Sequence, residues 1–303
     1  MHEAGLEAPT IILSNPPKWA VELYKTDKEK FFTAYQDYVE QVKDSLAQTG
    51  GEKISRVQIL NELNNKVYTP VRTEDVPRMC NITREAFHEY NPDIKLMATL
   101  LASNTTWFVG TPIEKYLTEF EKIKDSFDII AVDYYPGLWH LDARGASSLQ
   151  PSELYKQMVK KTELLKKVFE KIASWGKEYE LGEVGAPTNE PWASEKGQRY
   201  FYDKFFLEFK HLLADFQKHG LKLPSRVGLY EAKDEPPRTL TGKILRRMTP
   251  FPEHDLGMRE GDGRRKLVLQ GNVRLPEAER AQGPSQLSNI IRFLKASRQK
   301  TKQ

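Results

Sequence analysis

Residues 57–64 read VQILNELN, and residues 179–187 read YELGEVGAP. Each stretch contains the short apolar run of a buried strand. The predicted strand ends in a carboxylate, Glu62 in the first stretch and Glu183 in the second, just before the polarity rises. In a chain that alternates strands and helices, a Glu at the C-terminal end of a strand lies where α/β barrels keep their catalytic groups. Two such residues supply the pair of carboxylates that glycoside hydrolysis requires. These two stretches therefore predict an enzyme.

The alternation of strand and helix continues along the chain as far as residue 230. Short apolar runs predict strands at 9–13, 57–60, 95–101, 129–132, 179–184 and 226–230. Apolar residues at helical spacing predict helices at 27–48, 74–89, 112–123, 151–175 and 195–219. We expect Asp27 to cap the first helix, after a loop at residues 14–19. Because the sequence contains no glycine-rich phosphate-binding loop, the pattern favours a parallel barrel over a doubly wound sheet.

Beyond residue 230 the pattern becomes weaker. We expect the barrel to occupy residues 1–265, followed by a C-terminal segment at 266–303. That segment would contain a closing helix at 285–296 and a basic tail, because residues 281–303 include five basic residues and no acidic ones. A solvated helix end explains this tail better than a binding arm does.

The composition excludes several classes of protein. A net charge of +4, from 46 basic and 42 acidic residues, is too mild to indicate nucleic-acid binding. The single cysteine, Cys80, excludes an intrachain disulfide and is expected to be a buried structural thiol. The histidines show no metal-ligand spacing, so we expect neither a metal nor a cofactor. No apolar stretch approaches the ~20 residues of a membrane span, and we find no signal-peptide pattern. The sequons at Asn81 and Asn104 would permit glycosylation of a secreted chain.

Three motifs resemble those of clan A retaining glycoside hydrolases, which are TIM-barrel enzymes. Residues 59–64, ILNELN, resemble the Asn-Glu that ends the fourth strand of that family. Residues 127–139, FDIIAVDYYPGLW, resemble its sixth strand, in the version seen in endo-galactanases. Residues 180–187, ELGEVGAP, resemble its seventh strand, which carries the nucleophile. The resemblance extends over about residues 9 to 265 and implies a (β/α)8 fold without a cofactor.

The resemblance implies a role for individual residues. Glu62 would be the general acid/base and Glu183 the nucleophile. Asn61 would form a hydrogen bond with the 2-hydroxyl of the sugar, and Tyr135 would donate one to the nucleophile. Tyr230 would lie near the position where the family commonly has a Trp platform.

The resemblance also implies an incomplete barrel. If residues 57–62 are strand four and residues 9–13 are strand three, strands one and two lie outside this chain, with the Arg that the family places on strand two. We therefore expect an N-terminally incomplete barrel of about six βα units. The sequence leaves three explanations of the missing strands open. The chain is a fragment, it is a shortened gene product, or other segments close the gap. The family often has His where this chain has Asp133.

Other residues near the strand ends are weaker candidates. Aromatic rings there can stack on the C–H faces of sugars, and we expect this of Trp19, Trp139 and Tyr134, with loop packing as the alternative. Glu180 lies three residues from Glu183, on the opposite face of a regular strand, so we do not expect it to be catalytic. Glu231 is a lesser rival.

The leading hypothesis is a retaining O-glycosyl hydrolase that cleaves a β-linked oligo- or polysaccharide, with the carbohydrate as its only predicted partner. Such an enzyme needs one protonated and one ionised carboxyl group. The first alternative is a carbohydrate-binding remnant that has lost turnover. The second is an unrelated barrel isomerase or lyase that uses a single Glu as a base.

Overall fold

The computed structural model describes residues 10–48, 54–66, 68–104, 110–135, 162–186 and 195–230. The chain divides into two compact units. The first unit comprises Met1–Asp133, Ser174–Gly182 and Pro224–Arg226. The second comprises Tyr134–Ala173, Glu183–Leu223 and Val227–Gln303. The predicted closing helix and basic tail lie outside the described residues.

The described residues include one five-stranded sheet. Its strands follow the chain order and are β1 (Thr10–Leu13), β2 (Arg56–Ile59), β3 (Lys95–Leu101), β4 (Ile129–Tyr134) and β5 (Glu178–Val184). The pairs from β1 to β4 are parallel, with Ile12 opposite Gln58 and Gln58 opposite Met97. All of β2 and β4 and nearly all of β3 is buried, which is why these strands read as continuous apolar runs in the sequence. The five predicted strands are confirmed within two residues at each end.

The sixth predicted strand, at 226–230, is shorter than expected. Val227 forms an isolated bridge rather than part of a continuous strand. In the second unit the Val184 N–H donates to the Gly228 carbonyl at 3.1 Å, and the Tyr230 N–H donates to the Val184 carbonyl at 3.0 Å. Val184 thus donates to one residue and accepts from the residue two positions further on, which is the hydrogen-bond pattern of parallel strands. The sheet of the described residues therefore has five strands beginning at β1, against the predicted array of about six.

A helix or a pair of helices lies between successive strands. The helices are α1 (Lys18–Thr26), α2 (Lys28–Gln48), α3 (Val76–His88), α4 (Ile113–Phe120), α5 (Thr162–Ser174) and α6 (Glu195–Lys218). Helices α2 to α6 confirm the five predicted helices, although residues 151–161 of the long predicted helix lie outside the described residues. Helix α1 was not predicted. Asp27 caps α2 as expected, since its Oδ1 accepts the Lys30 N–H at 3.1 Å.

The prediction of a loop at residues 14–19 was wrong for its last two residues. Helix α1 begins at Lys18, directly after Pro17, whose backbone is extended. The two consecutive prolines suggested a longer loop, yet proline fits well at the start of a helix because its missing N–H would have no partner there. Trp19 is therefore a helical residue.

The helices pack through buried side chains in both units. In the first unit the hydroxyl groups of Tyr35 on α2 and Thr83 on α3 lie 2.9 Å apart. Cys80 in α3 is buried, as expected, and burial raises the pKa of its thiol to about 12. In the second unit Phe169 on α5 meets Phe209 on α6 edge-on. No helix within the described ranges is long and apolar enough to cross a membrane.

The N-terminal end of the sheet contains an ion-pair cluster in the first unit. Arg56, the first residue of β2, contacts Glu180 of β5 at 2.7 Å, and both are buried. Burial raises the pKa of Glu180, while Arg56 opposes the rise. Arg56 also lies 3.6 Å from Glu178, whose other partner is Lys95 at 2.6 Å. Burial of Glu178 disfavours its ionisation, but Lys95, Ser225 and Arg56 together outweigh that effect and lower its pKa.

Candidate active site

Glu62 lies in a turn that follows β2 and has an unusual backbone. Leu60 and Glu62 have φ values of +62° and +47°, in the left-handed region that residues other than glycine rarely adopt. The Leu60 N–H donates to the Leu13 carbonyl at 2.8 Å, and the Asn65 N–H donates to the Glu62 carbonyl at 2.6 Å. Such residues cost about 1–3 kcal/mol each and cluster at functional sites. The turn is therefore a candidate functional element.

Thr99 and Asn65 both form hydrogen bonds with Glu62. The residue is only 3% exposed. Its backbone N–H donates to Thr99 Oγ1 on β3 at 2.7 Å, and its Oε2 accepts a hydrogen bond from Asn65 Nδ2 at 2.6 Å. Both the backbone and the carboxyl group of Glu62 are therefore fixed by neutral hydrogen-bonding groups.

The Asn64 side chain links the same turn to the backbone of residues 101 and 111. Its Nδ2 donates to the Leu101 carbonyl at 3.0 Å and to the Thr111 carbonyl at 3.2 Å, while its Oδ1 accepts the Leu101 N–H at 2.8 Å. Gly110 comes so close that a Cβ there would lie 2.0 Å from the Asn64 carbonyl oxygen. A side chain at position 110 would push this turn away.

Asn61, directly before Glu62, is held through its side-chain oxygen. Asn61 Oδ1 accepts from Gln58 Nε2 at 2.9 Å and from the Thr99 hydroxyl at 3.3 Å. The Asn61 carbonyl accepts the Thr69 hydroxyl at 2.9 Å. Thr99 thus contacts both Asn61 and Glu62.

In the second unit, Glu183 at the end of β5 is joined to Tyr135. The Tyr135 hydroxyl donates a short hydrogen bond to Glu183 Oε2. The Tyr135 ring meets Tyr230 edge-on, with their centroids 5.9 Å apart. Gly185 allows this arrangement, because a Cβ there would lie 2.7 Å from Tyr135 Cε1 and 2.9 Å from the Tyr230 carbonyl oxygen. Glu183, Tyr135 and Tyr230 therefore form one cluster.

Helix α6 supports the end of β5 beside this cluster. The Tyr202 hydroxyl donates to the Val184 carbonyl at 3.3 Å, and Gln198 Nε2 donates to the Ala186 carbonyl at 2.8 Å. Gln198 gives the Ala186 carbonyl a partner beyond the end of the strand. The Tyr202 hydroxyl is a second donor to the Val184 carbonyl, which also accepts the Tyr230 N–H. These bonds fix the backbone on the C-terminal side of Glu183.

The remaining predicted site residues differ in exposure. Trp19 is 62% exposed and lines a cavity of about 220 Å³ with Leu13 and Leu60 in the first unit. Tyr134 is fully buried and stacks on Phe205 of α6 at 5.5 Å. The Tyr134 ring is therefore used in packing, and its predicted contact with the sugar stays a prediction. Trp139 and Glu231 lie outside the described residues.

Asp133, on β4, is fully buried in the first unit. It lies so close to β5 that a Cβ on Gly182 would be 2.5 Å from Asp133 Oδ1. Any larger residue at position 182 would therefore displace the Asp133 carboxyl group. Asp133 is the residue at whose position clan A glycoside hydrolases often have His.

The structure thus brings Asn61 and Glu62 together in one unit, and Tyr135, Glu183 and Tyr230 in the other. The distance between the two carboxyl groups stays a prediction. Sequence reasoning missed the supporting polar residues Gln58, Thr99 and Asn65. The first two had a signal, because each interrupts an otherwise apolar strand. Within the described residues, no three His, Cys, Asp or Glu side chains form a group that could hold a metal ion.

Comparison with known proteins points to one family. Residues 13–190 match the sequence model described as glycosyl hydrolase family 53. A search of curated protein sequences finds no match.

Among solved structures, the chain is similar to the GH53 catalytic domain of Ignisphaera aggregans, at 15% identity and a TM-score of 0.49 over 78% of this chain. It is also similar to a fungal β-1,4-galactanase, at 17% identity and a TM-score of 0.50 over 80% of this chain. The chain spans 63% of the length of the first structure and 68% of the second. The similarity confirms the predicted TIM-barrel type of fold.

Proposed function

Because the chain belongs to glycosyl hydrolase family 53, we propose that it hydrolyses a β-linked polysaccharide with retention of anomeric configuration. One observation carries this proposal. Both strand-end carboxyl groups lie within the matched residues 13–190, and each accepts a specific hydrogen bond, Glu62 from Asn65 and Glu183 from Tyr135. A catalytic carboxyl group needs such fixed orientation.

The proposed mechanism uses the two groups in turn. Glu183 attacks the anomeric carbon while the bond to the glycosidic oxygen breaks, and Glu62 gives its proton to that oxygen. Water then attacks the same carbon as Glu62 removes its proton, and the bond to Glu183 breaks. This requires carboxyl groups about 5–5.5 Å apart. Asn61 binds the 2-hydroxyl, and Tyr135 stabilises the charged nucleophile.

We propose β-1,4-galactan as the substrate. The motif at residues 127–139 resembles that of endo-galactanases, and the fungal relatives of similar fold are β-1,4-galactanases. Trp19 and Tyr230 are the proposed sugar contacts among the described residues, since the Trp19 ring is exposed and Tyr230 touches the residue that holds Glu183.

The decisive experiment traps the covalent intermediate. A 2,4-dinitrophenyl 2-deoxy-2-fluoro-β-galactobioside should label the protein once and release one equivalent of dinitrophenol, because the fluorine slows the second step more than the departure of the good leaving group. Peptide mapping should find the sugar on Glu183. Label on another residue, or linear galactan hydrolysed with inversion, would contradict the proposal.

Substitution of the nucleophile gives a second test. Glu183→Gln should lower kcat on galactan by about 10,000-fold or more, because the amide keeps the shape but not the nucleophilicity. Glu208→Gln, an exposed substitution on α6, is the matched control. A wild-type chain that binds galacto-oligosaccharides without forming the intermediate would instead support the carbohydrate-binding alternative.

A further inference from the structure

Gln58 is a polar residue in the middle of a strand whose four residues are all buried. It is only 4% exposed, and its strand neighbours are Ile12 and Met97. A buried amide is costly unless its donors are satisfied. Gln58 Nε2 meets three oxygen atoms, at 3.0 Å on the Leu60 carbonyl, 2.9 Å on Asn61 Oδ1 and 3.2 Å on Thr99 Oγ1.

These contacts fix the orientation of the Gln58 side-chain amide first and, through it, that of the Asn61 side-chain amide. The Leu60 carbonyl can only accept, so the Gln58 atom that faces it must be the nitrogen. That nitrogen also faces the side chain of Asn61, so the Asn61 atom there must be Oδ1. The Thr99 hydroxyl donates to the same oxygen. The Asn61 Nδ2 group is therefore the branch turned away from Gln58, and no described protein atom accepts a hydrogen bond from it.

We propose that Gln58 is a positioning residue that makes Asn61 a hydrogen-bond donor toward the 2-hydroxyl of the sugar. The inference rests on the proposed function, in which Asn61 contacts that hydroxyl. Hydrogen bonds to the 2-hydroxyl strengthen in the transition state of glycoside hydrolysis. A donor at this point therefore accelerates the reaction, and an amide turned the other way presents an acceptor instead.

Gln58→Glu tests the inference with almost no change in shape. At a pH high enough to ionise the new carboxyl group, position 58 cannot donate, so we expect the Asn61 amide to turn and direct Nδ2 toward position 58. We expect kcat/KM for 2,4-dinitrophenyl β-galactobioside to fall about 100-fold, as when a preorganised donor is removed. For the analogue that lacks the 2-hydroxyl on the ring bonded to dinitrophenol, the loss should stay below about threefold. Asn61→Ala should show the same dependence on the 2-hydroxyl.

Two further variants separate positioning from general damage. Gln58→Met removes the donor without adding charge, and it should show a loss of about 10-fold on the hydroxylated substrate alone, since the Thr99 bond still partly orients Asn61. Gln41→Glu makes the same chemical change at an exposed position on α2 and should leave both rates unchanged. Melting temperatures of all variants confirm that the folded protein is being compared.

The outcomes are distinguishable. Equal losses of Gln58→Glu and Gln58→Met on both substrates, or no loss on either, overturn the inference. A wild-type chain inactive on both substrates contradicts the proposed function instead. Neutron diffraction from crystals of the wild type and Gln58→Glu then decides, because it locates the hydrogen atoms of the Asn61 amide. An amide inverted between the two supports the inference, and an unchanged one overturns it.

Discussion

Two glutamates of the first unit, Glu180 and Glu62, are both buried, yet they lie at opposite ends of the sheet. Glu180 is at the N-terminal end, where Arg56 contacts it at 2.7 Å. Glu62 is beyond the C-terminal end of β2, where the neutral amide of Asn65 donates to its Oε2. Arginine is always charged, whereas an amide keeps its bond to Oε2 when Oε1 carries a proton. Burial alone therefore does not separate a structural carboxyl group from the proposed general acid, and the hydrogen-bonding groups around each are more informative.

The backbone of the two residues differs in the same way. Glu180 is part of the regular strand β5, whereas Glu62 has a positive φ next to Asn61 and Leu60. A regular strand with an ion pair at its N-terminal end is typical of a stabilising contact in barrel folds. The strained turn at the other end costs stability and is expected where function compensates for it.

Among the tests of this contrast, removing the carboxyl group of Glu62 should have the largest functional effect. Glu62→Ala should lower kcat on galactan by about 1,000-fold, because the alkoxide leaving group needs the proton of a general acid. On 2,4-dinitrophenyl β-galactobioside the first step should hardly change, which pre-steady-state release of dinitrophenol measures. Glu85→Ala, an exposed change on α3, is the control. Equal losses of the first step on both substrates would show that Glu62 is not the acid.

Breaking the ion pair should affect stability instead. Arg56→Met leaves Glu180 buried without its guanidinium, and we expect the free energy of unfolding to fall by about 3–5 kcal/mol in urea titrations. Arg56→Met combined with Glu180→Leu should recover most of that loss, since an apolar pair of similar volume replaces the charges. If Arg56→Met were as stable as the wild type, the ion pair of Arg56 and Glu180 would not stabilise the N-terminal end of the sheet.

The second unit allows a smaller test of the same idea, that a specific donor marks a working carboxyl group. Tyr135→Phe removes the hydroxyl that donates to Glu183. A hydrogen bond to a charged group contributes about 1.5–3 kcal/mol, so kcat on galactan should fall by about 10- to 100-fold. Tyr38→Phe, on an exposed ring of α2, is the matched control. An unchanged kcat would show that Glu183 does not depend on this hydroxyl.

The sequence predicted the strands well because a parallel sheet buries both faces, so that apolar runs mark each strand directly. The motifs also led us to expect the contact of Tyr135 with Glu183, which the structure contains. The catalytic roles of Glu62 and Glu183 stay predictions. Helix α1 was missed because Pro16 and Pro17 are signals of a loop and of a helix start alike.

The supporting contacts of Glu62 could not be predicted in this way. Thr99 reaches it only because the register of β2 and β3 brings together residues 37 positions apart. The positive φ values of Leu60 and Glu62 also have no local signal, since neither residue favours that region. Long-range hydrogen bonds impose this backbone, so only the folded structure reveals it.

The smallest expected effect concerns Glu178, which shares Arg56 with Glu180 but has the opposite pKa shift. Although burial disfavours its charge, Lys95 and Arg56 lower the pKa of Glu178 below its ordinary value of 4.5. A carboxyl group with a lowered pKa stabilises the fold above its unfolded-state pKa, and this contribution disappears as the pH falls through the folded-state pKa.

Glu178→Gln should therefore reduce stability above pH 4.5 by no more than about 1 kcal/mol, as for partly exposed ion pairs. As the pH falls through the folded-state pKa of Glu178, the difference from the wild type should shrink and vanish. Urea titrations across this range, with Glu85→Gln as the control, measure the difference. A gap that stays constant with pH would assign the stabilisation to packing of the Glu178 side chain rather than to its charge.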